Sequence, residues 1–309
     1  MINNSQNRDI VVAALKHAAP YMRMYKNKVF VIKAGGEVFE SKETTNGLVE
    51  QISILHQLGV KVVLIHGGGP QSTRLAGALG METNMVEGRR VTDANTLKVS
   101  TMVLNGEINT QILASCRDLG VPAVGISGVD CGLINASKRP PVKVGDATVD
   151  YGFVGNIESV NIGVINAQLD NGLVPVISPL SADEDGTVLN INADTVAAEL
   201  ASALNAEKLV LATGAPGILD NHEDLSTLIS YIDIEGLQEL RDKGSLKAGM
   251  LPKAIAIETA IHGGVSRVHM ISYKIPDSLL LEVFTNEGTG TLIVKHINVL
   301  SPAEQGQEK

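Results

Sequence analysis

The stretch Val29–Glu40, VFVIKAGGEVFE, decides how this chain is read. Val29 to Ile32 form an apolar run, Lys33 follows, and Gly35 and Gly36 turn the chain before it becomes polar. The pattern returns at Val62–Pro70, VVLIHGGGP, where His66 precedes three glycines. A short continuous apolar run closed by glycine reads as a buried strand of a parallel sheet. Between the two runs, Leu48–Leu58 sets Val49, Ile52, Ile54, Leu55 and Leu58 near one side of a helix. Such β-α-β alternation predicts a mainly parallel sheet with helices on both faces.

Outward from this pair the theme continues. PAVGIS, LVPVISPL and KLVLATG are further short apolar runs closed by Gly, Ser or Pro, and RVHMIS and TGTLIV read as the last strands. The segment from Val91 to Gly120 reads as one long helix, with Asp93 able to cap its start and Gly120 its end. TVDYGFVGNIESVN has the look of a hairpin or short antiparallel excursion, and a helix is predicted to begin near Pro252. There is no repeat, low-complexity segment or long linker, so two lobes on one continuous sheet are expected, dividing near Leu180. Residues 1–28 stand apart as a helical arm whose Ile10, Val11, Ala14, Leu15 and Ala18 share an apolar face, with Pro20 expected to kink or break it.

Composition limits the function. The 309 residues are enough for a sizeable core, and aromatics make up only 3% with no Trp, so that core must be aliphatic and alanine-rich. A net charge of -9 argues against nucleic acid, whose backbone needs clustered Lys and Arg. No basic-then-apolar leader and no apolar stretch of about 20 residues is seen, so no membrane association and a cytoplasmic location are expected. Cys116 and Cys131 lack metal-ligand spacing and fit a reducing compartment, as small packed residues rather than nucleophiles.

Five elements carry chemistry. In an open parallel sheet, ligands bind beyond the C-terminal strand ends, where both glycine turns lie. Glycine lets backbone amides approach an anion, and Lys33 adds a full charge. Neither turn is a dinucleotide fingerprint or a P-loop. Gly88-Arg89-Arg90-Val91-Thr92-Asp93 places arginines before a helix, where Arg90 can hold a carboxylate by two parallel hydrogen bonds. Asn190 and Asp194 stand four apart near a helix start, and Asp194 can serve as a cap, a metal ligand or the partner of lysines. Finally, Ser245–Lys253 runs a glycine loop into a helix with Lys253 in its first turn, against the usual preference for acids there. A bound phosphate nearby would account for that placement. His66 reads as packed or hydrogen-bonded, and no metal cluster is seen.

Taken in order, VIKAGG, VVLIHGGGPQ, GRRVTD, LNGEIN, DYGFVGNI, VPVISPL, LNINADTVAAELA, APGIL, GMLPK and EVFTNEGTGTLI resemble the amino-acid kinase family, in its branch acting on N-acetyl-L-glutamate. The resemblance implies a three-layer αβα sandwich on a mostly parallel, about eight-stranded sheet. It implies an N-terminal lobe at 29–180 for the acyl amino acid and a C-terminal lobe at 181–309 for ATP. The activity implied is transfer of a phosphoryl group from ATP, with Mg2+ held mainly by phosphates, to the side-chain carboxylate of N-acetyl-L-glutamate, in arginine biosynthesis. By the same resemblance Lys33 and Lys253 flank the transferring phosphoryl, and Gly36, Gly68 and Gly69 donate backbone amides to it. Asp194 orients both lysines, and Arg90 and Asn190 hold the substrate.

The chain departs from the family pattern at Ala34, at Gly214 where an aspartate is usual, at Ala248, and at Asp277 where arginine-regulated members have histidine. Glu282 and Gly288 match those members, as does the N-terminal helix that joins their dimers into hexamers. A homo-oligomer, dimer or hexamer, is therefore expected. Two readings compete: a related kinase for N-succinylglutamate or an aminoadipate derivative, and a non-catalytic amino-acid sensor on the same fold.

Overall fold

A computed structural model describes residues 5–86, 89–221, 223–246, 249–285 and 288–299. Its strands, in chain order, are β1 (Val29–Ala34), β2 (Lys61–His66), β3 (Met85–Val86), β4 (Arg89–Arg90), β5 (Ala123–Ser127), β6 (Ile134–Lys138), β7 (Val142–Val144), β8 (Ala147–Val149), β9 (Gly155–Val160), β10 (Val174–Ser178), β11 (Leu180–Ala182), β12 (Val188–Asn190), β13 (Lys208–Thr213), β14 (Tyr231–Asp233), β15 (Arg267–Ser272) and β16 (Thr291–Val294). The α-helices are α1 (Ser5–Tyr25), α2 (Lys42–Gln57), α3 (Gly69–Ala78), α4 (Ala94–Thr101), α5 (Asn109–Asp118), α6 (Gly163–Asp170), α7 (Ala193–Ala203), α8 (Ile234–Asp242), α9 (Leu251–His262) and α10 (Ser278–Phe284).

Eight strands form the main sheet in the order β14-β16-β15-β13-β1-β2-β10-β5. All neighbours run parallel except β15 and β16. The three-layer αβα sandwich expected from the sequence is thus present. β14, which sequence reading passed over, forms one edge. A second sheet, β12-β11-β6-β9, antiparallel except between β11 and β6, and the β7-β8 hairpin make up the excursion. In that sheet β11 and β12, which begin at residue 180, join β6 and β9, which precede it.

Strand alternation sorts the core into two layers. Val31, Val63, Ile65, Leu209 and Leu211 pack toward α7 and α9, among Val196, Leu200, Ala256 and Ile257. Phe30, Ile32, Val62, Leu64 and Val210 pack toward α2 and α5, among Val49, Ile52, Leu55 and Ile112. By the same alternation Lys33 falls on the α7/α9 face and His66 on the α2/α5 face. That division places every charge discussed below.

Local details refine the sequence reading. The first helix after β1 begins six residues earlier than the apolar pattern indicated, because Ser41 accepts the Thr44 N–H and caps it. Such a cap is worth about 1 kcal/mol. Ile54 lies off the buried face of α2 and is exposed. Asp93 does cap the helix expected between Val91 and Gly120, accepting from Thr96 N at 2.7 Å, and Gly120 takes a left-handed φ of 70° after its end. Within it Met102–Ile108 widens into a π-helical segment, an irregularity that apolar spacing does not announce.

Pro20 neither ends nor breaks α1, which runs on to Tyr25. The last turns of α1 dock through Tyr21, edge-on to Phe284 of α10 at 6.1 Å, while Ile10, Val11 and Leu15 are exposed in the single chain. Among the described residues no helix is long and apolar enough to cross a membrane.

Candidate active site

The C-terminal ends of β1, β2 and β13 open onto one cleft of about 770 Å³. β1 is the switch point of the sheet, since β2 continues from it on one side and β13 on the other. A crevice forms where successive connections leave in opposite directions. Gly35, Gly36, Gly67, Gly68 and Gly69 line it, as do Lys33, Arg90, Asn190, Asp194 and Lys253. The structure therefore gathers Lys33, Gly36, Gly68, Gly69, Arg90, Asn190, Asp194 and Lys253, the site residues expected from the sequence, around one cleft. Gly88, Lys247 and Ala248 lie outside the described residues.

Lys33, Asp194 and Lys253 come from β1, α7 and α9. Asp194 Oδ1 pairs with Lys33 Nζ at 2.8 Å and Asp194 Oδ2 with Lys253 Nζ at 3.0 Å. The helix cap is Asn192, whose side chain accepts the N–H groups of Asp194 and Thr195. That leaves the Asp194 carboxylate free to bridge both ammonium groups. Burial alone would push the Asp194 carboxyl up, but the two lysines outweigh it and hold it below the ordinary range. The side chain of Lys253 is 21% exposed and that of Lys33 7%, so the cluster is buried on one side and open to the cleft on the other.

The cleft is also a meeting point of helix N-termini. Gly69 and Pro70 open α3, Ala193 and Asp194 open α7, and Met250 precedes α9, all against the cavity. Each brings the positive end of a helix dipole to the cavity, so the site favours anions beyond its side-chain charge.

The two glycine turns touch. A Cβ at Gly36 would come within 3.0 Å of Gly68 Cα, and one at Gly68 would strike Ile108 and Leu104 at 2.5 and 2.7 Å. Only glycine fits at these positions without moving the turns or the π-helical segment behind them. Gln71 Nε2 donates to Gly36 O at 2.7 Å and ties one turn to α3.

Arg90 is half-buried at the cleft wall. Its Nη2 donates to Thr73 Oγ1 at 2.7 Å and Gly69 O at 3.1 Å, and its Nη1 to Thr83 Oγ1 at 3.2 Å. These contacts aim the guanidinium across the mouth of the glycine turn.

Among the described residues no group of three His, Cys, Asp or Glu could hold a metal. Among the described residues the acidic side chains lining the cleft are Glu37 and Asp194, the latter committed to two lysines. Such a lining suits a divalent ion carried in by polyphosphate oxygens better than an all-protein cage.

The sequence profile of the amino acid kinase family matches residues 28–272. The chain belongs to the amino acid kinase family. Among curated members, the acetylglutamate kinase of Myxococcus xanthus is 46% identical, over 94% of this chain and 96% of that one. That of Methanococcoides burtonii is 41% identical, over 91% and 94%. Among solved structures, N-acetylglutamate synthase from Neisseria gonorrhoeae, complexed with coenzyme A and N-acetyl-glutamate, superposes with a TM-score of 0.80 and 31% identity. The match covers 92% of this chain and 63% of that one. Carbamate kinase of Giardia shares the fold, at a TM-score of 0.61 and 19% identity.

In this amino acid kinase, sequence reasoning missed part of the lining. Arg89 and Arg139 face the cleft with Arg90, and Arg139 is held by its Nε donating to Asn156 Oδ1 at 2.8 Å. Arg139 follows β6, and only the pairing of β6 with β9 brings it to the cavity. Gly214, Ala215 and Gly217 line the C-terminal side, so the departure at Gly214 falls within the cleft. Asp277 takes a left-handed φ of 56° at the start of α10, and Glu282 and Gly288 meet behind it, away from the cleft lining. Of the two cysteines only Cys116 is buried, with its thiol pushed up to about 11 by desolvation. Cys131 is exposed, contrary to the packed role expected for both.

Proposed function

We propose that the chain transfers the γ-phosphoryl group of ATP to the side-chain carboxylate of N-acetyl-L-glutamate, giving N-acetyl-L-glutamyl 5-phosphate and ADP, a step of arginine biosynthesis. The observation that carries this reading is the pair of lysines bridged by Asp194 beside two touching glycine turns, in a chain so similar to acetylglutamate kinases.

A carboxylate acceptor is already ionised at neutral pH. One of its oxygens attacks the γ-phosphorus while the bond to the bridging oxygen of ADP breaks, and no proton has to be removed. The protein's task is therefore position and charge. Lys33 and Lys253 neutralise the transferring group from two directions. Asp194 keeps them from repelling one another and fixes where each ammonium sits. The backbone N–H groups of Gly36, Gly68 and Gly69 act as oxyanion-type donors. Arg90 and Asn190 hold the acceptor's α-carboxylate end, with the acyl amino acid in the lobe at 29–180 and ATP in the lobe at 181–309. Mg2+, which would be held mainly by the ATP phosphates, would neutralise part of their charge there. A sensor would have no use for two lysines focused on one carboxylate, which favours catalysis over the non-catalytic alternative.

The test is an acyl-phosphate assay with ATP and Mg2+, trapping the product with hydroxylamine. N-acetyl-L-glutamate should give hydroxamate in preference to N-succinylglutamate and N-acetyl-aminoadipate. No hydroxamate from N-acetyl-L-glutamate would overturn the reading.

We further infer that α1 joins dimers into a larger ring, most simply a hexamer. The exposed Ile10, Val11 and Leu15 support this, since burying such a face is worth several kcal/mol at ~25 cal/mol per Å². Deleting residues 1–26 should lower the molar mass in light scattering and leave an active core. An unchanged mass would count against the arm.

A further inference from the structure

His66 is fully buried at the end of β2, on the opposite face of the sheet from Lys33, and does not line the cleft. Its Nδ1 lies 3.2 Å from Gly67 O. A carbonyl oxygen only accepts, so Nδ1 must carry the ring proton. Its Nε2 lies 3.2 Å from Asn109 Nδ2. The same amide nitrogen donates to Val176 O at 3.0 Å, which fixes the amide's orientation because Oδ1 could not face that carbonyl. Asn109 therefore donates to Nε2, and both ring nitrogens call for the same tautomer. Burial keeps the ring neutral by holding its pKa down at about 4, and Phe39 packs edge-on to it at 6.2 Å.

The held carbonyl matters because of the peptide it belongs to. Gly67 C=O and Gly68 N–H are one planar trans group, so the N–H points opposite to the C=O. A donor on the oxygen fixes that plane and polarises the N–H on the other side. Among the described residues the Gly68 N–H has no protein acceptor, and Gly67 and Gly68 both line the cleft.

We propose that His66 is a positioning residue for phosphoryl transfer: its Nδ1–H, its tautomer set by Asn109, locks the Gly67–Gly68 peptide so that the Gly68 N–H faces the transferring group. The proposal rests on the reading of the glycine turns as a phosphoryl cradle. It extends the machinery one layer behind the glycines, through a side chain that never touches substrate.

The test combines a variant with a measurement on the parent. His66→Phe keeps a ring in the slot and removes the donor. Turnover should fall about tenfold, less than the ~10²-fold or more for deleting an oxyanion donor outright. The KM for ATP and acceptor should stay within about twofold, and affinity for ADP with aluminium fluoride, a planar phosphoryl mimic, should fall by the same factor as turnover. Turnover within twofold of the parent overturns the proposal, as does an equal loss of affinity for ADP, mimic and acceptor, which marks a merely structural role. If the variant does not fold, nitrogen-15 NMR of the parent decides. A neutral Nδ1–H ring from pH 6 to 8 supports the proposal, and an Nε2–H or titrating ring overturns it. The Gly68 amide resonance separates the two readings. If it does not shift in the parent on binding ADP, aluminium fluoride and acceptor, the cradle reading fails too. If it shifts equally in parent and His66→Phe, only the role of His66 fails.

Discussion

The sheet carries two buried charged clusters, at opposite ends and on opposite faces. At the C-terminal end of β1, Asp194 bridges Lys33 and Lys253 toward α7 and α9. At the other end, toward α10, Lys208 opens β13 and its Nζ lies 2.9 Å from His269 Nε2. His269 Nδ1 lies 2.8 Å from Glu282 Oε1, and Glu282 Oε2 accepts Thr289 N. Lys208 pairs in register with Phe30, three residues below Lys33 along β1. Both clusters contain a lysine and a carboxylate drawn from distant segments. Only the first opens onto the cleft. The second has Lys208 and His269 at 3% exposure and Glu282 at 8%, with Lys208 also over the Tyr25 ring at 5.3 Å. Residue type and burial alone do not separate chemistry from architecture. The end of the parallel sheet does, because helix N-termini and glycine turns gather only at the C-terminal edge.

The comparison breaks if the open cluster can be emptied without loss. Lys33→Ala and Lys253→Ala should each lower turnover ~10²-fold to ~10³-fold while the chain stays folded and binds acceptor, because charge stabilisation of the transferring group is removed. Steady-state kinetics with circular dichroism checks this, and near-parental turnover in either variant would remove that lysine from the mechanism.

The closed cluster should behave in reverse. Glu282→Ala removes the carboxylate that His269 faces and should cost about 3 kcal/mol of stability, with turnover within about threefold of the parent. Denaturant unfolding beside the kinetic assay decides, and intact stability with lost turnover would move this cluster into the mechanism. Acid should act on it as well. Burial first, then the nearby Lys208 charge, holds the His269 pKa down at about 4, with Glu282 pulling the other way and Arg267 adding to the depression. The unfolded chain binds that proton near the ordinary value of about 6.5, so the neutral-His contribution is complete above that pH and drains away as pH falls toward 4. The His269 share of the loss is about 3 kcal/mol and should disappear in His269→Phe, while the similar share of the buried His66 remains, measured by unfolding at a series of pH values.

The smallest effect concerns the acceptor side. Arg90→Lys keeps the charge but not the planar fork that reaches Thr73, Gly69 and Thr83, and should raise the acceptor KM about tenfold with little change in the ATP KM. A raised ATP KM with an unchanged acceptor KM would relocate the arginine to the nucleotide.

Much of this is legible in the sequence. The apolar runs closed by glycine predicted parallel strands, and those strands form the sheet. Lys33, Asp194 and Lys253 could be singled out because each stands beside a glycine turn or a helix start. Less visible were groups that reach the cleft through pairing rather than sequence neighbourhood. Arg139 needed β6 to meet β9, and Asn109 needed a π-helical turn to set it under His66. The break that Pro20 could signal does not occur: α1 continues to Tyr25, where packing of its last turns on α10 and β1 holds it.

The sequence by itself determined the type of the long central elements and the face each of their strand residues takes, because alternation is a property of the extended backbone. It also determined that glycine amides and an extra lysine sit at a strand's end. Only the tertiary structure decided which charges meet. Asp194 could have been a cap or a ligand until Asn192 took the helix N–H groups and β1, α7 and α9 brought two lysines to one carboxylate. The reason is that a salt bridge depends on separations of a few ångströms between segments far apart in sequence, and those are set by how the layers pack, not by any local pattern.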